Sequence, residues 1–286
     1  MGQKDIAEKH LQEYNDVFAD IVNVLLFDGI ETVKPDNLEN SLIKSQYKAD
    51  DGKVHEQERD VLKFWKDGSV NLVLYGIENQ TYMDKDMPLR IMGYDGQSYR
   101  SQLIKENGTN HYPVITLVLY FGMERWNGPR SLYESVNVPD YLKPYVSDYE
   151  INVFEIAYLE EEQVKKFTSD FKYVADYFVQ MRTKSNYIPS KEIMTHVDAV
   201  LKIMTVLTKD KRFEEVQNSG KEVRTMCEVL DRVEEKGKAE GKAEGETLLA
   251  NLMVKLFSLG RTADAELAAN DEKARKRFYK EFNLED

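Results

Sequence analysis

Cysteine is almost missing from this chain: Cys227 stands alone among 286 residues. That excludes a disulfide framework, a cysteine-ligated iron–sulfur cluster and a structural zinc finger. The four histidines, His10, His55, His111 and His196, are dispersed and form no His-Glu-x-x-His pair, which argues against a zinc hydrolase. No stretch approaches the roughly 20 uncharged apolar residues of a membrane-spanning helix. The longest apolar runs, Val70–Ile77 and Val114–Gly122, are of strand length. The first residues, Met1-Gly2-Gln3-Lys4-Asp5, are charged and lack an apolar signal core; the expectation is a cytoplasmic protein with no membrane partner. Positive charge is also short. Lys and Arg total 39 against 51 Asp and Glu, a formal net charge of −12, so bulk attraction to nucleic acid is weak. Cations held at an acidic site can still meet phosphate locally. No Walker loop is present, no Gly-x-Gly-x-x-Gly follows a strand, and there is no Gly-x-Ser-x-Gly elbow. Nucleotide-triphosphate and serine-hydrolase chemistry therefore lack their usual frames.

What is present supports a folded core. The chain is 42% hydrophobic, and its length suits one large domain or two modest ones. Residues 16–26 read as a helix begun earlier, near Asp5, with Tyr14, Val17, Phe18, Ile21, Val22 and Leu25 at helical spacing. Asp28-Gly29 stops it. Residues 59–66 and 70–77 read as a hairpin, and a helix follows from Met87 to about Gln102 with Pro88 in its first turn. Residues 112–121 form an apolar strand at a sheet centre, and residues 151–159 another. Every periodic segment after Glu160 is helical. The pattern is an α/β core of about 170 residues (1–170) with a helical extension (171–233) and a tail (234–286).

The tail begins with a Lys-Ala-Glu-Gly repeat at residues 234–245. It is either a flexible charged linker or a helix with Gly237, Gly241 and Gly245 on one face, open to a second helix. Residues 248–259 and 262–282 then form a small helical unit. Its basic run, with Arg275, Lys276 and Arg277, is either a solvated face or a duplex-contact surface.

Carboxylates gather where a hairpin would bring them together. Asp60 opens its first strand, and Glu78 closes its second, followed by Asn79 and Gln80. Glu78 and Gln80 share a face because strand side chains alternate. A strict two-residue loop at Asp67-Gly68 would turn Glu78 away from Asp60. A three-residue loop, Asp67-Gly68-Ser69, pairs Asp60 with Gly76 and puts Asp60 and Glu78 on one face with Leu62, Phe64, Leu72 and Leu74. The site therefore requires that loop or a bulge. Lys63 falls on the other face. In the first helix Glu13, Asp16, Asp20 and Asn23 form a polar stripe, either solvated or bordering the site. Two carboxylates with a backbone carbonyl suit Mg²⁺ or Mn²⁺.

Several segments together resemble a known family. They are Phe18-Ala19-Asp20, Arg59-Asp60-Val61, Gly76-Ile77-Glu78-Asn79-Gln80, Arg90 with Tyr94, residues 113–122 followed by Trp126 and Pro129, and the Lys-Ala-Glu-Gly tail after Met226-Cys227. From Tyr14 to Gly245 the chain resembles the recombination-promoting nuclease (Rpn), transposase-like group of the PD-(D/E)xK nuclease superfamily. The resemblance implies a restriction-endonuclease-like core, a mixed central sheet flanked by helices with an α-helical C-terminal extension. It implies a Mg²⁺-dependent endodeoxyribonuclease with DNA as partner, related to mobile-element recombination. Carried over, Asp60 and Glu78 are metal ligands, Asn79 lends its backbone carbonyl, and Asp20 or Asp16 is the helix acid. Gln80 stands where the superfamily's name places lysine, and orients water without bringing charge. Arg90 is either a phosphate contact or a surface ion pair. The alternative is a catalytically weak DNA-binding or oligomeric interaction protein of the same fold, with a homodimer formed through the C-terminal helices.

Overall fold

The computed structural model describes residues 11–42, 44–48, 54–104, 111–184, 187–218 and 223–284. Helix α1 spans Asn15–Phe27 and buries Val17, Phe18, Ile21 and Val22 at the expected helical spacing. Its start differs from the expectation. Tyr14 is extended at the N-cap, with ψ 130°, so the helix begins at Asn15; the expected start near Asp5 lies outside the described residues. Asp28 and Gly29, with φ of 54° and 85°, end it in left-handed backbone.

One sheet organises the core, in the strand order β1-β4-β5-β6-β7. These are β1 (Leu38–Asn40), β4 (Val61–Asp67), β5 (Val70–Gln80), β6 (Val114–Tyr120) and β7 (Asn152–Glu155). Strands β2 (Lys44–Lys48) and β3 (Val54–Glu58) form a separate antiparallel pair. β4 runs antiparallel to β5, whereas β5, β6 and β7 are parallel. A parallel neighbour requires a crossover, and α2 (Met87–Ile104) supplies it with Pro88 in its first turn. On one face of β6, Val118 and Tyr120 pack with Met87, Ile91, Tyr94 and Trp126. Phe121, just past β6, meets Phe171 and Phe178. The near-continuous apolar run of β6 thus reflects cover on both faces. The expected strand over residues 151–159 is shorter, because a 3₁₀ turn takes over at Ile156–Tyr158.

The hairpin between β4 and β5 decides the site. Its loop is two residues, Gly68-Ser69, with Asp67 paired to Val70. Taken alone, that register would place Asp60 opposite Ile77. Lys66 pairs with Asn71 but Trp65 pairs with Val73, so Leu72 is an extra residue in β5. Beyond it Leu62 faces Gly76 and Val61 faces Ile77; one step further, Asp60 stands opposite Glu78. The required bulge is present, and it sets Asp60 opposite Glu78 rather than opposite the expected Gly76. Leu62, Phe64 and Leu74 then pack with Val114 and Tyr112, whereas Leu72, at the bulge, is exposed.

Short helices α3 (Leu132–Val136) and α4 (Glu161–Val164) precede the helical region of α5 (Phe171–Lys184), α6 (Val197–Thr208) and α7 (Arg212–Asn218). The chain divides into two units, residues 1–229 and 230–286. The glycine repeat belongs to one continuous helix, α8 (Met226–Ser258), so the helical alternative holds. Gly260, with φ 73°, turns the chain, and α9 (Thr262–Asn270) and α10 (Glu272–Glu281) follow. Asp271 separates them, accepting the Ala274 N–H at 2.8 Å. Leu252, Leu256, Ala265, Ala268, Phe278 and Tyr279 form the core of the second unit.

A side chain added at Gly241 or Gly245 meets nothing within 4 Å. Helical Gly→Ala gains about 1 kcal/mol where space is free. Gly241→Ala and Gly245→Ala are each expected to raise the stability of the 230–286 unit by about that amount in urea unfolding. A loss of stability would mean that another helix packs closely on these glycines.

Candidate active site

The bend before β4 carries Asp60, whose carboxylate accepts the Asn79 backbone N–H at 2.7 Å. Across from it Glu78 is 1% exposed. Its Oε2 receives the Arg90 guanidinium at 3.4 Å, and its Oε1 is buried without a hydrogen-bond partner. Burial first, and the nearby Asp60 charge second, push the Glu78 carboxyl up to about 8, against the pull of Arg90 and Arg59. At neutral pH the pair therefore shares fewer than two negative charges. Gln80 lies two residues on, on the same face and half-buried. Asn79 points to the opposite face, where its amide and that of Gln12 donate to each other at 2.7 and 2.8 Å.

Helix α2 closes the site from above the sheet. Arg90 donates to Asp84 at 2.8 Å as well as to Glu78, and at 3.4 Å to the Tyr94 hydroxyl. Its N–H groups thus divide between an ion pair at the surface and the buried carboxylate. A second ion pair lies deeper. Arg59 Nη2 donates to Asp95 at 2.6 Å, both side chains being buried. Asp95 also accepts the hydroxyls of Thr116, at 2.7 Å, and Tyr149. Arg59 Nη1 is buried with no partner and lies 2.8 Å from where a Cβ on Gly76 would stand. Gly76 is glycine because that guanidinium fills its side-chain space. Arg59 and Asp95 were not singled out by sequence reasoning. The signals were the position of Arg59 next to Asp60 and a glycine inside a strand two residues before Glu78.

The other expected residues are held as follows. The Asp20 carboxylate accepts the backbone N–H groups of Thr168, at 3.0 Å, and Ser169, at 2.8 Å. Asp16 accepts His196 Nε2 at 2.9 Å, and Asn23 binds the backbone of Thr32 and Val33. Among the described residues no three His, Cys, Asp or Glu side chains form a metal-binding group. Lys63 is buried on the far face, as alternation requires, donating at 2.8 Å to the Glu13 carbonyl and to Asn15, and to Asn40. Burial lowers its pKa to about 8, against the Glu13 charge. Arg275, Lys276 and Arg277 lie on α10 in the second unit. There Lys276 pairs with Glu272 at 2.8 Å and Arg277 stacks on Phe278.

A family model described as "Putative transposase, YhgA-like" matches residues 51–217, more than half of the chain. The chain belongs to this family. The family is part of the Rpn/PD-(D/E)xK-like nucleases, and the α/β core with its helical C-terminal region is consistent with such a nuclease. Comparison with curated proteins and with solved structures returned no match. The matched stretch contains Asp60, Glu78, Gln80 and Arg90; Asp20 and the C-terminal unit lie outside it. No helix among the described residues is long and apolar enough to cross a membrane.

The raised Glu78 carboxyl makes stability depend on pH. Folded Glu78 holds its proton more tightly than the unfolded chain does, so this contribution is complete below the ordinary value of 4.5 and is lost as pH rises toward 8. Glu78→Gln removes the loss. In metal-free buffer the variant is expected to gain on the wild type across this window, by on the order of a few kcal/mol at its upper end, in thermal melts at a pH series. Parallel curves would refute the assignment.

Replacing Gly76 should disturb the Arg59 guanidinium. Gly76→Ala is expected to cost about 1–3 kcal/mol, read from the shift in urea midpoint. No change would mean that Arg59 moves aside freely.

Proposed function

We propose that this protein is an endonuclease that hydrolyses DNA phosphodiester bonds with a divalent cation. One observation carries the reading: Asp60 and buried Glu78 meet at the carboxyl end of β5, with a Glu78 oxygen left without a partner. That orphaned acceptor beside a second carboxylate fits a hard cation, Mg²⁺ or Mn²⁺. Asp60, Glu78 and the Asn79 carbonyl would hold it. Bound there, the ion supplies polarisation of a phosphoryl oxygen and a lowered pKa for water.

The chain's own groups supply the rest. Glu78 must release its proton before it can act as a ligand, so engagement strengthens as pH rises toward 8. Gln80 orients the attacking water through its side-chain amide and adds no charge. Positive charge comes instead from Arg90, whose long 3.4 Å contact with Glu78 leaves its guanidinium able to turn to a phosphoryl oxygen. Asp20 enters as a positioning residue: by gripping Thr168 and Ser169 it fixes α1 against the segment before α5. The C-terminal unit supplies self-association, since Val254, Phe257 and Leu259 are exposed on it, and Arg275, Lys276 and Arg277 extend contact with DNA.

A second reading is a weakly catalytic member acting as a DNA-binding or oligomeric protein. Gln80 in place of a cationic side chain favours it. Supercoiled plasmid with Mg²⁺ or Mn²⁺ separates the two. The wild type is expected to nick or linearise it. EDTA should abolish cleavage, and Asp60→Ala should reduce it by about 100-fold or more. No cleavage with either metal would move the assignment to the interaction protein.

A further inference from the structure

Arginines collect at the same end of the sheet, two strands away from Glu78. Register places Gln80, Tyr120 and Glu155 in one row across β5, β6 and β7. Residues in such a row project to one face, so Glu155 shares the face of Glu78 and Gln80. Two strand spacings put it about 10 Å from Gln80. Glu155 Oε2 is reached by Arg125 at 3.3 Å and by Arg130 at 3.1 Å, with the two arginine side chains 66% and 42% exposed. Tyr158, just beyond β7, carries two guanidiniums on its ring, Arg125 at 4.0 Å and Arg182 at 4.3 Å from the centroid. Arg182 donates Nε to the Ala157 carbonyl at 2.5 Å and has no acidic partner among the described residues. The acids around the three arginines are Glu155, Glu124, which lies near Tyr120, and Glu134, which accepts the Arg130 backbone N–H at 2.6 Å.

Such an arrangement suits an anion. Cation–π contact holds the two guanidiniums beside the ring without using up their N–H groups. Two like charges beside one ring repel, and an anion close to both relieves the repulsion. A guanidinium fork matches phosphate geometry. We infer that Arg125, Arg130 and Arg182 hold the phosphate backbone of duplex DNA about three base steps from the bond cut at Asp60 and Glu78. The inference rests on the nuclease reading and gives a net-acidic protein a local cationic track in its core unit.

The test uses the full-length protein and a fluorescein-labelled 30-base-pair duplex in EDTA, followed by anisotropy over a series of NaCl concentrations. Each lost phosphate contact lowers the salt slope by about 0.9. Arg125→Ala with Arg182→Ala is expected to lower it by nearly two contacts and to weaken binding at least ~10-fold, alike for unrelated sequences. Arg125→Lys with Arg182→Lys should keep most of the slope. If the alanine pair melts early, Arg182→Gln alone carries the test, with a loss near one contact. A folded alanine pair with wild-type slope and affinity, beside a wild type that nicks plasmid, overturns the arginine track and leaves the nuclease standing. A wild type that neither binds duplex nor nicks plasmid with Mg²⁺ or Mn²⁺ overturns both.

Discussion

One extra residue sets the geometry of this site. Leu72 has no partner in β4, and that single insertion moves the pairing of the hairpin by one position. Without it Asp60 would face Ile77, and Glu78 would point away from it. A bulge also leaves an unpaired residue and a local bend, and Leu72 is accordingly exposed. The cost falls near the loop, well away from the carboxylates. Beyond it β5 keeps a regular ladder, with β4 from Val73 to Ile77 and with β6 from Leu74 to Gln80.

The second constraint is charge held out of water. Arg59, Lys63, Glu78 and Asp95 are all buried. Each is expensive unless it is neutral or surrounded by partners. Lys63 and Asp95 have full sets of partners, and both bind elements far apart in the chain. Glu78 and Arg59 do not; each keeps one buried polar atom without a partner. Both groups lie beside the Asp60 and Glu78 carboxylates, where unpaired donors and acceptors are available to something else.

Much of the core was legible in the sequence. The period of Val17, Phe18, Ile21 and Val22 gave α1, and the unbroken apolar run gave a central β6. Alternation assigned Glu78 and Gln80 to one face and Lys63 to the other. That either a three-residue loop or a bulge was needed followed from parity alone. Its position did not, because nothing in Val70-Asn71-Leu72 marks which residue will lose its partner. The partners of Asp20 and Asp16 were not legible either. A polar stripe on a helix has one appearance whether it meets solvent, a metal or the backbone of a distant loop. Thr168 and His196 are brought to it by tertiary packing only. The Lys-Ala-Glu-Gly repeat was ambiguous because glycine opposes a helix while its Lys and Glu spacing favours one; the continuous α8 shows which prevails.

The contacts of α1 also govern when this chain can close during synthesis. Asp20 meets Thr168 across 148 positions, and Asp16 meets His196 across 180. Just before the helix, Gln12 meets Asn79 across 67. Contacts this distant in sequence are slow to form. A nascent chain leaving the ribosome cannot complete them until most of its length has emerged. β5 and β6 are made well before α5, whose Phe171 and Phe178 meet Phe121 just past β6. For that interval Phe121 lacks this cover, and α1 is among the last elements to be locked in place.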